Sequence, residues 1–286
     1  MARVRFLSMA AALCAVWTAP LQADSTALPA PLSETVATGQ DRALRMTVPV
    51  MVNGQGPFDF VIDTGADRTV ISRELAERLN LPDAGKARLH AMGGSGQVGI
   101  VRIGALSVST NTARNVKAAA LPMRNLGADG LLGIDSLKGQ RIVMDFEANT
   151  IRLEPSIPAD GEQIVVTARP RLGQLVMVDA DANGEKVWVV VDTGAQNSVA
   201  NSRLRSMLVK RNPRTDIRPI EMIDVLGKRT PADYTIVDRL RIGGLAMGNA
   251  AIAFADVHPF RIFELDRKPS MLLGVESLKS FRRVSV

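Results

Sequence analysis

One ordered set of motifs occurs twice in this chain, and that duplication limits the fold more than any other feature. The first copy reads Phe60-Val61-Ile62-Asp63-Thr64-Gly65-Ala66, then Arg102-Ile103-Gly104-Ala105-Leu106, then Leu131-Leu132-Gly133-Ile134-Asp135-Ser136-Leu137-Lys138. The second reads Val189-Val190-Val191-Asp192-Thr193-Gly194-Ala195, then Arg241-Ile242-Gly243-Gly244-Leu245, then Leu272-Leu273-Gly274-Val275-Glu276-Ser277-Leu278-Lys279. From the Asp to Arg-Ile-Gly is 39 residues in the first copy and 49 in the second, and from there to Leu-Leu-Gly is 29 and 31. The extra length falls around 203–218. Each half is therefore one structural unit, and the two are related.

Within each unit the apolar runs are short, β-branched and punctuated by Gly and Pro: 46–52, 58–62, 99–103, 141–146, 164–167 and 186–191. That pattern predicts an all-β fold of short strands. Helical signal is confined to two segments, 72–79, with Ser72 as N-cap and Leu75, Ala76 and Leu79 on one face, and 202–209 at the matching place in the second half. The expected architecture is two small β-barrel lobes related by a pseudo-two-fold axis, each with a short helical turn after its Asp-Thr-Gly. The lobes are expected at 41–155 and 160–286, the boundary lying where Pro155, Pro158 and Gly161 break the pattern.

The amino terminus reads as an address. Arg3 and Arg5 precede an apolar run of 14 residues, 6–19, followed by Pro20 and by Leu21-Gln22-Ala23. A membrane span needs about 20 apolar residues, so 1–23 is expected to be a cleaved secretory signal peptide rather than an anchor. The Ala-, Pro-, Ser- and Thr-rich stretch 24–40 is expected to be a linker or short pro-segment. Cleavage after Ala23 removes Arg3, Arg5 and the single Cys14, leaving 33 basic against 29 acidic residues, net +4. The expected product is exported, without disulfides or a transmembrane helix, and most simply periplasmic.

Composition excludes several kinds of chemistry. One Cys and two His, His90 and His258, are too few for a disulfide framework, a cysteine zinc site or a His-rich metal centre, so no metal or cofactor is expected. Aromatics make up 4% of the chain, with one Tyr, which is poor equipment for stacking on nucleic-acid bases. The basic cluster Arg203, Arg205, Lys210, Arg211, Arg214 and Arg218 reads as a solvated face. No Ser has a convincing His partner for a nucleophilic triad. Gly94-Ser95-Gly96-Gln97-Val98-Gly99 matches G-x-G-x-x-G, but 100–103 continues as strand and no acid occurs from 84 to 128 to hold a ribose.

Carboxylates remain. A lone Asp-Thr-Gly is an ordinary turn; two, in halves related by a pseudo-two-fold axis, bring Asp63 and Asp192 face to face. Two carboxylates so close titrate as a unit and share one proton. The ionised member can take a proton from water while the protonated member hydrogen-bonds the carbonyl under attack.

On these residues the sequence resembles the retropepsin-like aspartic proteases, in particular exported bacterial members with both lobes in one chain. The resemblance rests on apolar-apolar-Asp-Thr-Gly-Ala, on a hydroxyl three positions after the Ala (Thr69, Ser198), and on the downstream apolar-apolar-Gly. It implies peptide-bond hydrolysis by Asp63 and Asp192. Thr64 and Thr193 would lock the two loops by buried hydroxyl hydrogen bonds, and Gly65 and Gly194 would let the backbone approach substrate. Ala66 and Ala195 replace a hydroxyl common in pepsin-like relatives, so the dyad is expected to keep its proton to higher pH and to work from weakly acidic to near-neutral pH.

Met92, Gly93, Gly94, Ser95 and Gly96 fall where the family places its flap, and Asp67 is a candidate for holding substrate backbone. The matching second hairpin, within 221–234, lacks a glycine cluster, so one flap rather than two is expected. The second half ends at Val286, which aligns with Asp145, one strand short of the first. The neighbouring barrel, the 24–40 segment or a second copy would have to cover that edge, and monomer and homodimer both stay open. The partner implied is an extended polypeptide with apolar residues near the cut. The rival reading is a catalytically silent, protease-like module that binds a peptide or protein.

Overall fold

The computed structural model describes residues 34–37, 39–40, 45–137, 140–155, 168–171, 174–177 and 180–285. The strand expected at 164–167 and the signal peptide at 1–23 lie outside the described residues. Strands dominate, in two lobes. In the first, a sheet runs Gly39–Gln40, Met46–Val52, Gln55–Ile62, Gly130–Leu132, Val70–Ser72, Asn111–Leu121, Gly94–Val108, Asp83–Ala91, and the pairing of Met46–Val52 with Gly94–Val108 turns it back on itself.

The second lobe repeats the central order: Trp188–Val191, Ser270–Leu273, Ser198–Ala200, Leu245–Phe254, Arg229–Ile242. Even the strand sense is copied. Val61 pairs in parallel with Leu131 and Val190 with Leu272, while Val70–Ser72 and Ser198–Ala200 each run antiparallel to that Leu-Leu strand and parallel to the next.

Side-chain alternation along these strands separates barrel from cleft. Phe60 and Ile62 point into the first barrel core with Val48, Ile71, Ile103 and Leu106. Val61, between them, joins Val70, Leu121, Leu126 and Leu131 in a second cluster on the opposite face. In the other lobe Val189 and Val191 enter the barrel core, and Val190 joins Val199, Phe260 and Leu272 in the matching outer cluster. Continuing the alternation puts Asp63 on the face of Val61 and Asp192 on the face of Val190, so an apolar cluster flanks each Asp.

Several expectations need correction. The strands are not uniformly short: Gly94–Val108 has 15 residues and Arg229–Ile242 has 14, because each runs as one ribbon from an overhanging hairpin into the barrel wall. The helices Arg73–Arg78, with Ser72 Oγ accepting from Leu75 N, and Ser202–Arg211, capped by Asn201, stand where the sequence put them. Three more, Met123–Leu126, His258–Ile262 and Val275–Leu278, are too short to show a helical period. The 24–40 segment is not wholly a linker: Glu34–Ala37 and Gly39–Gln40 are strands.

The last strand of the second repeat joins a sheet of the first half. Arg283–Ser285 pairs with Gln140–Asp145 in a four-stranded sheet that also contains Thr150–Pro155 and Glu34–Ala37. The basic cluster is a charged face with acids among it: Arg205 pairs with Asp233 at 2.8 Å, Arg211 with Glu185 at 3.1 Å and Arg218 with Asp216 at 2.7 Å. Among the described residues no helix is long and apolar enough to cross a membrane.

Candidate active site

The two Asp-Thr-Gly loops meet at the junction of the lobes and exchange hydrogen bonds with near two-fold symmetry. Thr64 Oγ1 donates to Val191 O at 3.0 Å and Thr193 Oγ1 to Ile62 O at 2.7 Å. Each hydroxyl also accepts the other loop's backbone N–H, Thr64 N at 3.0 Å and Thr193 N at 3.2 Å. Both threonines are buried. The glycines that follow leave room for the carboxylates. A Cβ on Gly65 would lie 2.5 Å from Asp192 Oδ1, and one on Gly194 would overlap the Asp63 carboxyl. Each carboxylate thus sits against the opposite loop, where only a glycine admits it.

Each loop is held from behind by its own Leu-Leu-Gly element. Thr69 Oγ1 donates to Asp135 Oδ1 at 2.8 Å and meets Ser136 Oγ at 2.7 Å; Ser198 Oγ meets Ser277 Oγ at 2.8 Å. Gly133 N and Gly274 N donate to those same hydroxyls, while Ile134 N and Val275 N bond Ala66 O and Ala195 O. The repeated hydroxyl and the repeated glycine therefore form one mount, built twice.

Asp63 is buried, and its pKa is pushed up to about 7. Burial is the main cause and the neighbouring Asp192 charge the next, opposed by Arg45 and by the N–H groups of Gly65 and Ala66. Burial also raises Asp192, against the N–H groups of Ala195 and Gly194 and the charge of Arg45. For both carboxyls burial is the first cause of the rise.

A roof of two hairpins covers the cleft, which corrects the expectation of one flap. The first, Asp83–Ala91 with Gly94–Val108, turns at Met92-Gly93. Gly94 has a φ of +138°, Ser95 is exposed opposite His90, and Gly96 faces Leu226. The second, Arg218–Ile223 with Arg229–Ile242, turns at 224–228 without a glycine cluster. There Asp224 Oδ1 accepts Leu226 N and Lys228 N, both at 2.9 Å, so a side-chain carboxylate organises the turn together with the single Gly227, whose φ is +78°.

The two tips are bonded to each other. Gly93 N donates to Asp224 Oδ2 at 2.8 Å and Lys228 Nζ donates to Gly93 O. His258 N donates to Met92 O at 2.8 Å, and His90 Nδ1 meets His258 Nε2 at 2.8 Å with the rings stacked. Met92 packs against the apolar cluster of the second lobe, and Val225 and Leu226 against that of the first. Asp67 lies exposed at the exit of the first loop.

One neighbour of the pair escaped the sequence reading. Arg45 is 7% exposed; its Nη1 donates to Gly194 O at 2.6 Å and its Nη2 to Leu126 O. A single Arg ahead of a strand gives no motif. Its signal is positional: it stands 18 residues before Asp63, as Gln174 stands 18 before Asp192.

Two β lobes that share a mounted carboxylate pair beneath paired hairpins define an acid-protease architecture. A family model described as aspartyl protease matches residues 48–136 and 178–277, and each segment holds one Asp-Thr-Gly loop and one Leu-Leu-Gly strand. The chain belongs to the aspartyl protease family. A search of curated proteins returned no match.

Proposed function

We propose that the protein is an aspartic endopeptidase that hydrolyses peptide bonds with a water activated between Asp63 and Asp192. The observation that carries this reading is the reciprocal seating of the two carboxylates against Gly194 and Gly65, with the Asp63 pKa near 7. At weakly acidic to near-neutral pH such a pair holds one proton. The ionised carboxylate takes a proton from water as the water oxygen bonds to the scissile carbonyl carbon, and the protonated one donates to the carbonyl oxygen. The resulting diol collapses as a proton passes to the amide nitrogen and the C–N bond breaks, restoring one proton on the pair.

The substrate is an extended polypeptide bound beneath the hairpins. The partly buried Met92, Val225 and Leu226, which pack against the clusters beside the two Asp residues, favour apolar side chains beside the cut. The amino-terminal address makes the site of action extracytoplasmic, most simply the periplasm.

The test is digestion of a complex peptide mixture by protein beginning at Asp24, across pH, beside Asp63→Asn and Asp192→Asn. Cuts that vanish in both variants, with apolar residues flanking the wild-type cuts, are expected. Peptide binding without cuts at any pH would point instead to a silent binding module.

A further inference from the structure

We propose that Arg45 is a positioning residue of the dyad: its guanidinium ties the second Asp-Thr-Gly loop to the first lobe and supplies the cation against which one negative charge rests on the buried carboxylate pair. This rests on the aspartic-protease reading above and adds to it a residue that breaks the symmetry of the site.

The placement follows from strand register. Thr47 pairs with Val61 across Met46–Val52 and Gln55–Ile62, so the same antiparallel register sets Arg45 opposite Asp63. Opposite residues of an antiparallel pair share a face, and Asp63 shares the cleft face of Val61. In the second lobe Val176 pairs with Val190, which sets Gln174 opposite Asp192. The register therefore relates position 45 to position 174, and the two residue types differ.

From its position Arg45 reaches across the junction. Its Nη1 holds Gly194 O, in the loop that seats Asp63, and its Nη2 holds Leu126 O at the end of Met123–Leu126 in its own lobe. A guanidinium cannot shed its proton, and a buried charge without compensation is costly. A dyad carrying one proton has one negative charge, and that charge interacts favourably with the cation. The reverse also holds: without the cation, a buried carboxylate pair keeps its protons to higher pH.

Among the described residues, the groups around the pair include the N–H donors of Gly65, Ala66, Gly194 and Ala195, and Asp67 lies exposed at the loop exit. In the roof stand Asp224, Lys228 and the His90–His258 pair, bound to one another and to the first hairpin.

The test is a titration of Asp side-chain carboxyls by carbon-13 NMR in full-length mature protein, with the dyad signals identified by their loss in Asp63→Asn and Asp192→Asn. In Arg45→Gln both dyad midpoints are expected to move up by about one pH unit. In Arg45→Lys, which keeps a charge but not the planar fork, they move by less than half of that. On cleaved peptide, both limbs of the kcat/KM profile of Arg45→Gln shift up with the carboxyl midpoints, whereas Arg45→Lys loses kcat with its limbs near those of the wild type.

Unmoved midpoints in Arg45→Gln would overturn the proposal. If that variant does not fold, Arg45→Lys decides alone, and midpoints displaced by a full unit despite the retained charge would overturn it. Because the titration needs no turnover, a wild type that cuts nothing would count against the protease reading and leave the charge assignment to be judged by NMR.

Discussion

At the residue scale the repeated Asp-Thr-Gly told most of what the site contains, because each member does a job that its chemistry dictates. Thr carries the hydroxyl that can donate to one loop and accept from the other, and Gly vacates the volume the opposite carboxyl fills. Arg45 was illegible by the same logic: a lone side chain has meaning only through register, and register requires the fold. The shared proton has a consequence for stability. With an ordinary value of 3.8 and a folded value near 7, Asp63 binds more protons folded than unfolded between those limits. The stability this contributes is full below about pH 3.8 and is lost as pH rises through 7. Asp63→Asn removes the dependence. The variant is expected to gain thermal stability over the wild type at pH 7 to 8, by about 2–4 °C per kcal/mol, and the gain should disappear toward pH 4. Thermal unfolding at pH 4, 6 and 8 checks this, and a difference that stays flat across pH would count against a proton shared in the folded state.

At the element scale the barrels were readable and their covers were not. Strand positions followed from β-branched runs and the pairing of the two lobes from the repeat itself, but the second hairpin turns on the Asp224 carboxylate rather than on a glycine cluster. Three helices of four or five residues fall below the length at which a period shows. The two hairpins act as one element because Asp224 and Lys228 grip Gly93 and His258 grips Met92 and His90. The histidine contact needs at least one neutral ring. Burial is the first cause lowering the His258 pKa from its ordinary 6.5, with the charges of His90, Arg261 and Lys228 behind it. The contact therefore contributes fully above about pH 6.5 and fades as pH falls through the lowered value. Hydrogen exchange at the Gly93 amide reads the grip directly. After correction for intrinsic rates, its protection is expected to be lower at pH 5 than at pH 7.5 in the wild type and level with pH in His258→Gln. In Asp224→Ala protection should drop about tenfold or more at both pH values, since tenfold corresponds to one hydrogen bond of about 1.4 kcal/mol. Equal protection in wild type and Asp224→Ala would mean that the hairpins are closed by something else.

At the scale of the whole molecule the lobes are not independent, and this rests on a strand pairing that only the fold shows. Arg283–Ser285, the strand that ends the second lobe's share of the repeat, is the neighbour of Gln140–Asp145, and Phe146 and Val284 pack against both barrel cores. The seam is held by Arg283, whose Nε and Nη2 donate to the buried Asp145 Oδ2 at 3.0 and 2.7 Å. Together with the threonine exchange and the Arg45 bridge, this makes each half part of the other's support, so unfolding should be one cooperative event. Arg283→Ala leaves Asp145 in the seam with, among the described residues, its bond from Ala148 N and the charge of Arg282, at an expected cost of about 1–3 kcal/mol. The pKa of Asp145 is lowered first by the Ala148 N–H and then by Arg283. The stability from this carboxylate is therefore present above about pH 3.8 and is lost as pH falls through the lowered value. Calorimetry should show a single transition in both proteins. The melting temperature of Arg283→Ala should lie several degrees lower at pH 7, with the gap closing toward pH 3. Two resolved transitions, only one of them moved by the substitution, would show instead that the lobes fold separately and that the shared sheet is a contact between finished domains.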